Sequence, residues 1–155
     1  MKILYICTHN RCRSILSEAI TNAHGQGKIT AWSAGSHPAG EVHPLTLKYL
    51  QETNFPVDGL RSQSWDEFAS LQPDIVITVC DSAANEMCPV WMGSAIKIHW
   101  GLPDPSKIND DAEKCKNAFY DVIQTIEERV KKLLSIKWHD IDNETRQLLL
   151  HQLSR

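Results

Sequence analysis

The chain has 155 residues, 42% of them hydrophobic and 23% charged. That is the size and balance of one globular domain, and it excludes disordered, collagen-like and low-complexity proteins. A net charge of −3 argues against general nucleic-acid binding but leaves room for one local anion site.

Lys2 to Ile6 reads as a short buried strand, and from Ser14 the pattern becomes helical. Ile15, Leu16, Ala19 and Ile20 share one face, and Gly25 and Gly27 end the helix. Lys28 to Ser33 reads as a second strand. His43 to Thr53 reads as a second helix, with Pro44 in its first turn and Leu47, Leu50 and Tyr49 facing inward. Ser64 and Glu67 have the spacing of a capping box for a short helix to Ser70. Asp74 to Val79 is a β-branched run suited to a buried parallel strand, and Ala95 to His99 is a fourth strand. Asp110 to Leu134 is the longest helix, with Ala118, Val122, Ile126, Val130 and Leu133-Leu134 as its apolar stripe. Ile136 to Ile141 connects it to a terminal helix capped by Asn143 and running through Leu153.

Strands and helices alternate four times. The expected fold is α/β, a three-layer α/β/α arrangement on a four-stranded parallel sheet, in one domain over 1–155 with a helical extension at about 136–155. Leu148, Leu149, Leu150 and Leu153 give that extension an apolar side for packing on the domain. Apolar runs such as Ile75-Val76-Ile77 are far shorter than the roughly 18 residues of a membrane span. The N-terminal apolar stretch is too short for a signal-peptide core, so a cytoplasmic protein without membrane contact is expected. Five cysteines, Cys7, Cys12, Cys80, Cys88 and Cys115, are an odd set that argues against a disulfide framework.

In parallel α/β sheets, chemistry sits beyond the carboxyl ends of the strands. After the first strand comes Cys7-Thr8-His9-Asn10-Arg11-Cys12-Arg13-Ser14, and then a helix. Loop amides and a helix start form an anion cradle, and Arg13 can make two parallel bonds to a tetrahedral oxyanion. The same field favours the Cys7 thiolate, with an expected pKa of roughly 3.5–7.5. Asn10 suits a positive φ, and Ser14 can cap the helix or bond the thiolate. The bland alternative is a buried cysteine beside a solvated arginine. After the third strand, Cys80 and Cys88 flank a short polar segment and can bridge if their Cα atoms come within about 7 Å. They can equally be a core residue and an incidental loop thiol. Their spacing with His99 is not that of zinc ligands, so no metal is expected.

The loop Cys7 to Ser14 resembles the phosphate-binding loop of the low-molecular-weight protein tyrosine phosphatase superfamily. Within it, the chain is most similar to the arsenate reductases. The likeness runs through Ser33-Ala34-Gly35, Asp74 to Cys80, Cys88-Pro89 and His99-Trp100-Gly101 to Asp104-Pro105. This resemblance implies a phosphatase-like fold and reduction of arsenate to arsenite for arsenic detoxification. Cys7 is then the nucleophile, and Thr8, His9, Asn10, Arg11, Cys12, Arg13 and Ser14 bind the oxyanion. Asp104 is the general acid, although a turn aspartate is the alternative there. Cys80 attacks Cys7, Cys88 attacks Cys80, and a thiol donor reduces the last bridge. That donor is thioredoxin, or glutathione or mycothiol with a glutaredoxin; in the latter case Cys80 and Cys88 are bystanders. Phosphate and sulfate are the expected competing anions, and a monomer is the expected state.

Three departures qualify the resemblance. His9 stands where the phosphatase loop has Gly. Ser106 and Lys107 follow Asp-Pro where phosphatases of the eukaryotic type place aromatic residues, which suits a small inorganic anion. Asn10, Glu18 and Ser33 match the oxygen ligands of a potassium site, but Gln63 replaces an Asp and puts that ion in doubt. Hydrolysis of phosphate monoesters by a tyrosine phosphatase is the alternative activity, and oxyanion sensing without turnover is a third. Cys12 can pair with Cys7 off-path or simply pack, and Cys115 receives no role.

Overall fold

A computed structural model describes residues 1–84, 89 and 92–154. The strands are β1 (Lys2–Ile6), β2 (Thr30–Ala34), β3 (Ile75–Thr78) and β4 (Ile96–His99). The helices are α1 (Arg13–Gly25), α2 (Pro44–Glu52), α3 (Asp81–Ala84), α4 (Ala112–Ser135) and α5 (Asn143–Leu153). Among the described residues the strands form one four-stranded sheet in the order β2-β1-β3-β4, with every pairing parallel. Each parallel crossover carries its chain over the sheet, so the loops after β1, β3 and β4 emerge at one edge.

Ile3, Leu4, Tyr5 and Ile6 of β1 and Ile75, Val76 and Ile77 of β3 are all buried. Successive strand residues face opposite sides, so both faces of the central strands are covered, as a layered α/β fold requires. α1 and α4 pack on each other, and α1 lies against β1 and β2. The core stripe of α4 is Cys115, Phe119, Val122, Ile123, Ile126, Val130 and Leu133. Ala118 is only half-buried, and Phe119 takes the central place expected for it.

The boundaries follow from local hydrogen bonds. Gln26 ends α1 in the left-handed region at φ 45°, followed by Gly27 at φ 84°. β2 begins later than expected because Lys28 donates its N–H to the carbonyl of Gly25 and closes the turn. Pairing then starts at Lys2 opposite Thr30. The Ser64–Glu67 capping box forms in both directions and starts a single 3-10 turn at Trp65–Phe68. Pro44 opens α2, with the His43 ring accepting from the Leu45 N–H. The cap of α5 is Asp142, not Asn143; its carboxylate accepts the Thr145 N–H at 2.8 Å. α5 packs on β4 and α4. There Leu150 is fully buried, and the Trp100 indole N–H donates to its carbonyl at 2.9 Å. Leu148, expected to face inward, is 58% exposed. Among the described residues, no helix is long and apolar enough to cross a membrane.

Candidate active site

Cys7 follows the last residue of β1, and α1 begins at Arg13, so the loop between them is short and closed at both ends. Its carbonyls are tied outward. Thr8, His9 and Arg11 carbonyls accept from the N–H groups of His37, Ala39 and His43 at 2.9, 2.9 and 3.0 Å. Asn10 turns the chain at φ 47°, the left-handed region that asparagine tolerates better than most residues. Its side chain is fully buried and pinned at both ends. The amide donates to the Ser14 hydroxyl at 2.7 Å, and the carbonyl accepts the Gln63 N–H at 2.8 Å. Ser14 therefore buttresses the loop and does not cap α1, which has no side-chain cap.

Gly35, at the end of β2, allows this loop to lie where it does. A Cβ there would stand 2.5 Å from the Thr8 carbonyl oxygen and 2.7 Å from that of Cys7. Both obstacles are backbone and neither can yield without moving the loop.

Arg13 reaches across to the loop after β4. It donates to the Leu102 carbonyl at 3.1 Å and faces Asp104 Oδ2 at 3.6 Å. Asp104 combines the two expectations for it. Oδ1 accepts from the Ser106 N–H at 3.0 Å and hydroxyl at 2.6 Å, capping the turn Pro105–Lys107. Oδ2 is left toward Arg13. Cys115 on α4 lies beneath this turn, its thiol donating to the Pro105 carbonyl.

Two of the five thiols meet at the strand ends. Cys7 and Cys80 are both buried, at 6% and 3% exposure, and hydrogen-bonded to each other. Cys80 Sγ also accepts the Thr8 and Ala83 N–H groups, each at 3.4 Å, and lies 3.7 Å from the Thr8 hydroxyl. The hydrogen bond from Cys7, and after it these donors, draw the Cys80 pKa down to about 5 against the cost of burial. Cys7, which gives its proton to that hydrogen bond and is desolvated, is pushed up, although Arg13 and the His9 amide oppose this. The hydrogen bond between the two sulfurs is the largest cause on both, lowering the one and raising the other. Burial likewise pushes the Cys12 thiol up to about 12, and the Thr46 contact only partly offsets it. Thr8, expected among the oxyanion donors, spends its amide on Cys80. Cys88 lies outside the described residues, so the expected Cys80–Cys88 step does too.

The potassium ligands come together, but as a closed set. Ser33 donates its hydroxyl to Glu18 at 2.6 Å, and the Gln63 amide donates to the Ser33 carbonyl at 3.0 Å. Asn10 Oδ1 is already taken by the Gln63 N–H. Each of these oxygens takes part in one hydrogen bond within the set, and Gln63 brings a neutral amide to it where a carboxylate would add charge for an ion. Burial raises the Glu18 pKa, and the hydrogen bonds from Ser33 only partly offset it.

Sequence reasoning missed His43 and Thr46. The His43 ring titrates under the influence of Arg11 and Asp104, with burial as the larger cause lowering its pKa. Thr46 donates to the Arg11 carbonyl at 3.2 Å. Pro44 was the only signal in that stretch, and it spoke of a helix start rather than of the loop.

A buried thiol pair lies at the strand ends, with an arginine and a carboxylate in the loops beyond, the groups a cysteine-dependent site for an oxyanion needs. Comparison with known proteins agrees. Residues 2–147 match the low molecular weight phosphotyrosine protein phosphatase family, and the chain belongs to it. Its relatives include a glutaredoxin arsenate reductase of Synechocystis, 29% identical over 86% of this chain and 96% of that protein. An arsenate reductase of Bacillus cereus is 32% identical over 86% of this chain and 94% of its own. An arsenate reductase structure from Archaeoglobus fulgidus superposes with a TM-score of 0.70 at 28% identity, covering 86% of this chain and 99% of that one. A thioredoxin-dependent arsenate reductase from Corynebacterium glutamicum gives 0.65 at 26%, covering 86% and 60%.

Proposed function

We propose that this chain reduces arsenate to arsenite, with Cys7 as the nucleophile and Cys80 as the thiolate that resolves the adduct. The contact between the two sulfurs carries this reading. Hydrolysis of a phosphate ester needs one thiol, whereas reduction by two electrons needs a second within reach of the first.

Arsenate sits against Arg13 and the loop amides. Cys7 bonds to arsenic, and its proton passes by way of the Asp104 carboxylate to the arsenate hydroxyl, which departs as water. One thiol proton moves to one leaving hydroxyl, and arsenic remains pentavalent. The Cys80 thiolate then attacks Cys7 Sγ; the sulfur–arsenic bond breaks, and its electron pair stays on arsenic, which leaves as arsenite. A Cys7–Cys80 disulfide remains, so two thiols have supplied two electrons. The Thr8 and Ala83 amides that point at the Cys80 sulfur favour its thiolate for this second step. Cys88 then takes over Cys80, and a cytosolic dithiol or a glutaredoxin-type donor restores the thiols. The glutaredoxin- and thioredoxin-dependent relatives support an external donor of this kind.

A single turnover with reduced protein, arsenate and no added thiol tests the reading. One equivalent of arsenite with a disulfide through Cys80 is expected, and Cys80→Ser should reduce the yield at least tenfold. Absence of arsenite until glutathione or mycothiol and a glutaredoxin are added would remove Cys80 from the reaction. No arsenite under any of these conditions, with turnover of p-nitrophenyl phosphate, would favour the phosphatase reading.

A further inference from the structure

Cys80 sits in a tight turn between β3 and α3, and one imidazole holds that turn on both sides. His99, the last residue of β4, lies 2.8 Å from the Thr78 hydroxyl through Nδ1 and 3.1 Å from Asp81 Oδ1 through Nε2. Thr78 is two residues before Cys80 and Asp81 is one after it. A carboxylate only accepts, so Nε2 carries the proton; in the neutral ring Nδ1 accepts from the threonine hydroxyl. The strand ends add two backbone bonds to the same turn, from Trp100 N–H to the Thr78 carbonyl and from Leu102 N–H to that of Val79. Gly101 gives the ring its space: a Cβ there would stand 3.0 Å from His99 Nε2.

We propose that His99 is a positioning residue for the thiol relay, clamping the Thr78–Asp81 turn to β4 so that the Cys80 sulfur stays aimed at Cys7. This rests on the arsenate-reductase reading and deepens it. The Cys80 sulfur must lie in line with the Cys7 sulfur–arsenic bond at the moment of attack, and reactions of this kind are sensitive to displacements of about 1 Å. The four-residue span from Thr78 to Asp81 is what sets that placement. The backbone donors on Cys80, from Thr8 and Ala83, depend on the same register. His99 touches neither Arg13 nor the loop from Cys7 to Ser14 through any of these bonds. Loss of the clamp therefore slows the resolving step without weakening the hold on the oxyanion.

The test uses the full chain and the variants His99→Ala and Thr78→Val, each removing one side of the clamp or both. Arsenite release in a single turnover is measured against arsenate concentration. The maximal rate should fall at least fivefold, with half-saturating arsenate unchanged within twofold. In the same samples, the pH midpoint for alkylation of Cys80, read by mass spectrometry, should move up from that of the parent, because the backbone donors on its sulfur lose their register. A maximal rate within twofold of the parent overturns the proposal, as does a parallel loss of rate and arsenate affinity. If the parent itself releases no arsenite, the reductase reading has failed. The clamp is then judged by alkylation alone, and an unmoved midpoint in both variants overturns it.

Discussion

Asn10 and Cys80 show two different ways in which one residue shapes this site. Asn10 holds the loop through its backbone, at a positive φ that few other side chains tolerate, and through two buried hydrogen bonds. The positive φ was readable from the sequence, because a residue type and its place in an eight-residue motif suffice; the two bonds were not, since Gln63 lies 53 residues away in the chain. The protonation of the thiols was not readable. It depends on Thr8, Ala83 and Cys7 meeting around one sulfur, and Thr8 lies 72 residues from Cys80 in the chain. The consequence is a pH-dependent stability. A thiol pKa lowered in the folded state means that the unfolded chain binds more protons between the two values, so stability rises with pH there. For Cys80 the window runs from about 5 to the ordinary 9.0. It is lost as pH falls through 5. Cys7 works in the opposite sense above 9.0, because the folded state keeps a proton that the unfolded chain releases. The difference in Tm between parent and Cys80→Ala should therefore grow by a few degrees from pH 5 to pH 9. A difference that is flat over this range would put the charge elsewhere.

Helices and strands with a clear period were legible, because burial on one face writes the period into the sequence. β1 was read to the residue, and α1, α2 and α4 to within two residues. The errors fall where a local hydrogen bond, and not the period, sets the boundary. β2 starts late because of the Lys28 turn. α3 is one turn of helix, too short to show a period. α5 is capped by Asp142 because its carboxylate reaches the Thr145 amide. The extension also shows why an apolar run overstates burial. Four leucines were expected to face inward, yet a helix turns 100° per residue, and Leu148 and Leu150 cannot share a face. Leu150 meets β4 and Trp100, whereas Leu148 stays 58% exposed. Leu150→Ala should cost about 2–5 kcal/mol, as for other buried leucines, while Leu148→Ala should stay within about 0.5 kcal/mol. Chemical denaturation of the two variants separates them. Equal losses would mean that α5 is anchored by something other than the Leu150 contact.

The molecule as a whole converges on the loop from Cys7 to Ser14. The segment from His37 to His43 holds its carbonyls, Ser62 and Gln63 hold His9 and Asn10, and the loop after β4 brings Leu102 and Asp104 to Arg13. These stretches lie far apart in sequence, so the cradle exists only in the folded chain. An anion bound there stabilises the fold by mass action, by RT ln(1 + [L]/Kd). Phosphate at one hundred times its Kd should add about 2.7 kcal/mol, or roughly 5 to 10 °C in Tm for a chain of this length. The effect should exceed that of sodium chloride at equal ionic strength, because it comes from a built site and not from screening. Arg13→Ala should remove most of the phosphate-dependent shift while leaving the response to sodium chloride as it was. The Arg13 side chain is 17% exposed and faces Asp104 at the same exposure, so the variant also leaves that carboxylate without its cation. Its baseline Tm should therefore fall even without phosphate. The decisive quantity is the shift on adding phosphate, measured for each protein against its own baseline. If that shift survives Arg13→Ala undiminished, the anion binds elsewhere, and the loop from Cys7 to Ser14 is not the oxyanion site.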